Sequence, residues 1–243
     1  MVFRAFLAAA AFWLCALPFA AHAQPAPRPA GPILVELYTS QSCAECWSAN
    51  RLVGQLAREQ DVIALTFSVD YWNYLGWRDT FSQRAFSQRQ RAFGRALRAR
   101  GLMTPDVIVN GVAHVRGARA EPVRDLIAQM RAAPTAPAPR IAIRQLSYRA
   151  RVEITAPRAP IVPADIWAVA FDPGPIMQTV GSGDNAGRNV PHYNLVRSIE
   201  RIGYWEATRE SFSGVLCRRA CAIIIQAPNG GPVLASAVSI AED

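Results

Sequence analysis

The 243-residue sequence predicts an α/β domain followed by a small, mainly-β, sandwich-like domain. Three observations point there. Two apolar runs of strand length, residues 32–38 (PILVELY) and 62–69 (VIALTFSV), flank a segment in which Cys46, Val53, Leu56 and Ala57 fall on a helical repeat. Such runs read as buried strands of a sheet covered on both faces, joined by a helix. Asn110-Gly111 separates the β-prone stretches 106–109 and 112–115, which is the strongest short-range hairpin signal. Beyond a Pro/Ala stretch at 132–140, the chain breaks into short β-prone runs divided by Pro, Gly and Asn.

Taken in order, the chain opens with Arg4, an uncharged apolar stretch over 5–20, and Ala21-His22-Ala23, the small-x-small form of a secretory cleavage site. We therefore assign 1–23 to a signal peptide cut before Gln24, and 24–31 to a flexible Pro/Ala lead. A periplasmic location follows, with no stable membrane insertion after cleavage, since the apolar stretch is shorter than the roughly 20 residues of a spanning helix. The α/β domain occupies 32–132: strand, helix from Cys43 to Gln60, strand, aromatic loop at 70–79 (DYWNYLGWRD), helix at 81–100 stopped by Gly101, hairpin, and a closing helix at 121–130. Residues 133–140 form a linker. The β-rich domain at 141–243 contributes strands at 141–148, 151–154, 166–171, 215–226 and 233–240, with a helix-like patch at 193–202.

Apolar residues make up 51% of the chain and charged residues 18%, the balance of a folded globular protein. The formal net charge is +8, and every basic side chain apart from histidine is arginine. These arginines are spread without a basic run or a nucleic-acid motif, so they indicate solubility and a bias toward acidic partners or anionic surfaces, not nucleic-acid binding. Arg84, Arg89, Arg91, Arg95 and Arg98 read as the solvated face of their helix. No nucleophile elbow accompanies the available Ser, His and Asp residues, which sets aside that hydrolase class.

Once Cys15 is removed with the signal peptide, Cys43, Cys46, Cys217 and Cys221 remain, an even number in an oxidising compartment. Cys43-Ala44-Glu45-Cys46 lies where a strand delivers the chain into a helix. Free N–H groups and the positive end of the helix dipole favour a thiolate at Cys43, and Cys46 is placed one turn on to resolve a mixed disulfide. Glu45 opposes that ionisation and argues against a strong oxidant. A structural zinc site wants a second ligand pair at suitable spacing, which Cys217-x-x-x-Cys221 does not offer. A Cu(I) site completed by His114, or a redox-inert binding module, stays open beside thiol exchange. Cys217 and Cys221 are expected to form a structural disulfide. Four residues of extended chain would hold their Cα atoms about 13 Å apart, so residues 217–221 must turn.

Thr104-Pro105 precedes the hairpin, placed to hold a substrate chain as an added strand. At this point the chain resembles the thioredoxin superfamily in its element order, its C-x-x-C and its Thr-Pro. The resemblance implies an α/β thioredoxin-like first domain and gives Glu36, in Leu34-Val35-Glu36-Leu37, the role of handling the proton of Cys46. Read by itself, Glu36 is equally a capped polar residue of a strand. The chain is also similar to the DUF1223 family of secreted proteins, through residues 35–43 (VELYTSQSC), 69–77 (VDYWNYLGW), Thr104-Pro105, Val109-Asn110-Gly111 and residues 183–188 (GDNAGR). Trp47 departs from the proline that commonly follows the second cysteine in that family.

These readings converge on a thiol-disulfide oxidoreductase with Cys43 as attacking thiolate, Cys46 as resolving thiol, and Thr104 and Pro105 as substrate clamp. No organic cofactor or metal is required, and the partners are protein thiols, protein disulfides or a redox partner protein. Tyr71, Trp72, Tyr74 and Trp77 fit either a platform for partner chains, to which we assign Trp72 and Trp77, or packing against the second domain. Residues 183–188 fit a ligand site facing the cysteines or a plain Gly/Asn turn. His114 and His192 stand isolated in the sequence.

Overall fold

A computed structural model describes residues 29, 31–156, 162–206 and 208–241. The signal-peptide assignment, the proposed cleavage site, Cys15 and most of the Pro/Ala lead lie outside them. The first half runs β1 (Ile33–Thr39), α1 (Cys46–Leu56), β2 (Val62–Ser68), a single 3-10 turn (Asn73–Leu75), α2 (Arg84–Ala96), β3 (Asp106–Val109), β4 (Ala113–Arg116) and α3 (Ala120–Ala132). The second half supplies β5 (Arg140–Leu146), β6 (Arg149–Thr155), β7 (Ala164–Asp172), β8 (Ile176–Thr179), β9 (Asn189–His192), β10 (Leu195–Trp205), β11 (Glu210–Leu216), β12 (Ala220–Gln226) and β13 (Val233–Ile240).

The expected thioredoxin-like α/β domain followed by a separate sandwich is not what forms. The described chain is mostly β, and one mixed eight-stranded sheet in the order β13-β12-β7-β10-β2-β1-β3-β4 runs through both halves. Only β11-β6-β5 and the β8-β9 pair stand apart from it. The junction is physical: β10 pairs with β2 in parallel at Leu195 and Thr66. Around it, Thr66 N donates to Asn194 O at 3.0 Å, Thr66 Oγ1 donates to Tyr193 O at 2.6 Å, and Asn194 Nδ2 donates to Ala64 O at 2.8 Å. The apolar strand β2 thereby avoids an open edge.

β10 is also where the helix-like patch at 193–202 is corrected. Register shifts between Val196 and Ser198 and between Arg201 and Gly203 insert extra residues into the strand. A bulge breaks the period of two, so the apolar positions take on a spacing that imitates a helix. The single run expected at 215–226 is split too. β11 belongs to the three-stranded sheet and β12 to the large one, and the Cys217–Cys221 disulfide (Cα–Cα 5.0 Å) closes the turn between them, both cysteines buried.

Alternation along β1 sorts its side chains. Val35 and Leu37 pack with Ala49, Leu52 and Val53 of α1 and Val123 and Ile127 of α3, while Leu34 and Tyr38 face Phe86 and Phe93 of α2. The α2 cluster also takes in Val169, Phe171, Val196, Ala222 and Ile224, so residues from both sides of the Pro/Ala stretch share one core. The opposite face of β7 and β12, with Ile166, Ala168, Ile223 and Ile225, is covered by Val152 and Ile154 of β6.

Inside the α2 core sits an ion pair. Arg89 Nε and Nη2 donate to Glu36 Oε2 and Oε1 at 2.7 and 2.8 Å, and Tyr38 Oη donates to Glu36 Oε2 at 2.8 Å. Arg89 thus leaves the solvated face assigned to it: its guanidinium lies over the rings of Phe93 (5.0 Å) and Trp167 (5.5 Å). Burial, then the Glu36 carboxylate, push the Tyr38 hydroxyl pKa well above its ordinary value, so it stays a donor. Removing one member of such a pair strands the other. Arg89→Met is expected to cost about 3–5 kcal/mol in urea denaturation, and the Glu36→Gln, Arg89→Met double variant less than that single change. Additive losses on the double-mutant cycle would show that the pair is not coupled.

Candidate functional site

β1 ends at Thr39, and two tight turns carry the chain to α1. Cys43 N donates to Ser40 O at 3.2 Å and Cys46 N to Cys43 O at 3.1 Å. These turns occupy the residues that the sequence assigned to the first helical turn, so α1 begins at Cys46, not at Cys43. Its N-cap residue, Glu45, makes no side-chain capping bond. Cys43 and Cys46 are disulfide-bonded with Cα atoms 5.4 Å apart. Cys43 (6% exposed) and Cys46 (0%) are both buried, with the exposed Ala44 and Glu45 between them. The Cys43 sulfur is fixed at the N-terminal end of α1 through its bond to that helix's first residue.

The cysteine loop is held from two other segments. Gln41 is the hub: its N–H donates to Asp79 Oδ2 (2.8 Å), its Oε1 accepts from Trp77 Nε1 (2.9 Å), and its carbonyl accepts from Asn185 Nδ2 (2.9 Å). The same Asn185 amide donates to the Cys43 carbonyl at 2.7 Å, and Ser42 Oγ donates to Trp77 O at 3.3 Å. Residues 183–188 therefore form a turn, as one of the two readings had it. Its buried Asn185 clamps the backbone beside the cysteines. Trp77 also lies against Gly181, where an added Cβ would come within 2.5 Å of the indole, so this member of the aromatic loop packs on the second half of the chain.

The other site candidates are placed as follows. Glu36 and Cys46 are not brought together: Glu36 points to the α2 face, held by Arg89 and Tyr38, while α1 packs on the opposite face. The role of proton handler for Cys46 is corrected on that ground, by the strict alternation of a strand. Thr104 and Pro105, joined by a cis peptide, precede Asp106, which pairs with Tyr38; the register runs them alongside the chain leaving β1 toward Cys43. Trp72 packs on the α2 core and is not part of the cysteine cradle, whereas Trp77 is. His114 Nδ1 sits 3.0 Å from Asp106 Oδ1, and no group of three or more His, Cys, Asp or Glu suited to a metal occurs among the described residues. His192 is buried edge-on to Phe81 (5.1 Å), and burial lowers its pKa to about 4.

Sequence reasoning missed Gln41, Asp79 and Asn185 as individuals. Gln41 and Asn185 stand inside the blocks that carried the family resemblance, and Asp79 closes the aromatic loop, but nothing local marks a polar residue as buried. Asp79 accepts N–H bonds from Gln41 and Phe81, both at 2.8 Å. Burial raises its pKa from 3.8 to about 6, against those two donors, which lower it. A carboxyl raised in the fold stabilises it fully below pH 3.8 and loses that contribution as pH climbs through about 6. From pH 4 to pH 7, the stability of the wild type should therefore fall relative to Asp79→Asn by up to about 3 kcal/mol in chemical denaturation. A difference constant with pH would remove the titration from the account.

A family model described as "Protein of unknown function (DUF1223)" matches residues 34–222. No curated protein matches the chain. Among solved structures, the crystal structure of protein AGR_C_4864 from Agrobacterium tumefaciens is similar at 24% identity, with a TM-score of 0.73 over 91% of this chain and 97% of that one. HBP35 of Porphyromonas gingivalis is similar at 10% identity, with a TM-score of 0.63 over 88% of this chain and 76% of that one. These two likenesses speak to the fold alone. The family match spans 34–222 and so takes in both cysteine pairs, Gln41, Asp79 and Asn185; the chain belongs to the DUF1223 family.

Proposed function

We propose that the Cys43–Cys46 pair is a thiol-disulfide exchange centre acting on protein thiols and disulfides in an exported, periplasmic protein. The observation that carries the reading is the Cys43–Cys46 disulfide at the start of α1, in a loop whose backbone is held by Asp79 and Asn185. In the reduced protein, the Cys43 thiolate attacks a substrate disulfide, forming a mixed disulfide and releasing one substrate thiolate. Cys46, having passed its proton to the released substrate thiolate, then attacks Cys43 Sγ and expels the second sulfur as a thiolate, which is protonated from solvent. The protein's dithiol becomes a disulfide as the substrate's disulfide becomes a dithiol, and the reverse sequence oxidises a substrate.

The parts of the site fit this division of labour. The N-terminal end of α1 favours negative charge on the Cys43 sulfur. Asn185 and Asp79 hold the backbone on which Cys43 sits, so its geometry survives the opening of the bond. Thr104, on the neighbouring strand segment, offers its main chain to an extended substrate, while Pro105, its carbonyl taken by Gly117 N–H, fixes the course of that segment, and Trp77 supplies the adjoining aromatic surface.

Cys43→Ser should abolish disulfide exchange, and Cys46→Ser should accumulate reducible mixed disulfides on non-reducing gels of periplasmic extract, with the double serine variant as background. No adducts above that background, together with ordinary alkylation reactivity at Cys43 in neutral buffer, would leave a redox-inert module. Export has its own measurement: the intact mass of protein recovered from the periplasm should begin at Gln24, and retention of 1–23 would refute cleavage.

A further inference from the structure

The sheet is longer than the helix that covers it. α2 covers its face of the sheet near Val169, Phe171 and Ile224, but β7 and β10 run on past it toward Asp165 and Tyr204. Between α2, these strand ends and the turn at 228–230 lies a cleft of about 590 Å³. That is the size of a small-molecule site, on the α2 face of the sheet and sharing no residue with the cysteine cradle.

We propose that this cleft binds a planar aromatic carboxylate. Its lining carries the partly buried Trp167 from β7 and Tyr204 from β10, the latter 45% exposed, above the buried Phe93 of α2. Exposed rings on strands are rigid, and a flat apolar ligand stacks on them with little loss of side-chain freedom. Two guanidiniums frame the rings, and they differ. Arg89 is locked by two bonds to Glu36 and lies over Phe93 and Trp167, forming a neutralised, fixed wall. Arg201 donates through Nε to Asp165 at 2.5 Å and sits 5.4 Å from the Tyr204 ring centre. Its terminal nitrogens make no hydrogen bond among the described residues, and its side chain is 49% exposed. A ligand carboxylate meets a planar fork there, beside the ring on which its aromatic body rests. Both acidic groups near the cleft, Glu36 and Asp165, are already paired with an arginine, so an anion entering it faces no unpaired carboxylate from them.

The experiment is isothermal titration of the folded protein with 2-naphthoate, with 2-naphthalenemethanol as the uncharged analogue. We expect saturable one-to-one binding of the acid and about tenfold weaker binding of the alcohol. Arg201→Gln and Tyr204→Ala, at partly exposed positions where folding is not at stake, should each weaken the acid about tenfold, or ~1.4 kcal/mol. Absence of saturable binding up to millimolar acid, or an affinity that neither variant changes, overturns the proposal. So does equal binding of acid and alcohol.

Discussion

Strand β2 is apolar on both faces and pairs with β1 along one side, which leaves a full set of N–H and C=O groups on the other. The chain satisfies that edge with residues 193–195, through the main-chain and side-chain bonds of Tyr193 and Asn194 and the pairing of Leu195 with Thr66. Nearly everything else follows from this one attachment. It makes β10 and β7 continuous with the first half's sheet, and it brings Val169, Phe171 and Val196 into the same core as Phe86 and Phe93. Without it, α2 would present an amphipathic face with only half of its partners.

The same attachment positions the site. Because β10 is anchored at β2, the segment before it, with β8 and β9, is carried over α1, and the turn at 183–188 reaches the cysteine loop. Asn185 then spends both N–H bonds of its amide on the carbonyls of Gln41 and Cys43. A short turn-rich loop between a strand and a helix has no regular partner for its backbone, so three distant residues supply one: Asp79 accepts, Asn185 donates, and Trp77 pins the Gln41 side chain. The cysteine pair is thus built by the first half of the chain and held by residues of both halves.

The buried charges obey the same economy of partners. Glu36 reads in sequence as a carboxylate a few residues before the cysteines, and its spacing invites a catalytic role. In the fold, one position of strand alternation decides the matter, turning it away from α1 into a bidentate pair with Arg89. Arg89 in turn sits in a helix whose four arginines look alike in sequence. What distinguishes it is that its turn of α2 faces Glu36 and the ring of Trp167.

The sequence by itself determined the strands β1 and β2 with their intervening helix, the hairpin at Asn110-Gly111, the closeness of both cysteine pairs and the family, because these rest on local spacing and chirality: apolar period, turn residues and short loops. Tertiary structure decided the rest. That β10 is a strand was hidden by its two bulges, and that the halves share one sheet was hidden because a strand does not encode which edge it will meet. The burial of Asp79, Asn185 and Arg89, and the side to which Glu36 faces, depend on partners up to 144 residues away. Long-range pairing of this kind is set by the energy of satisfying edges and polar groups in the assembled core, which no window of local sequence contains.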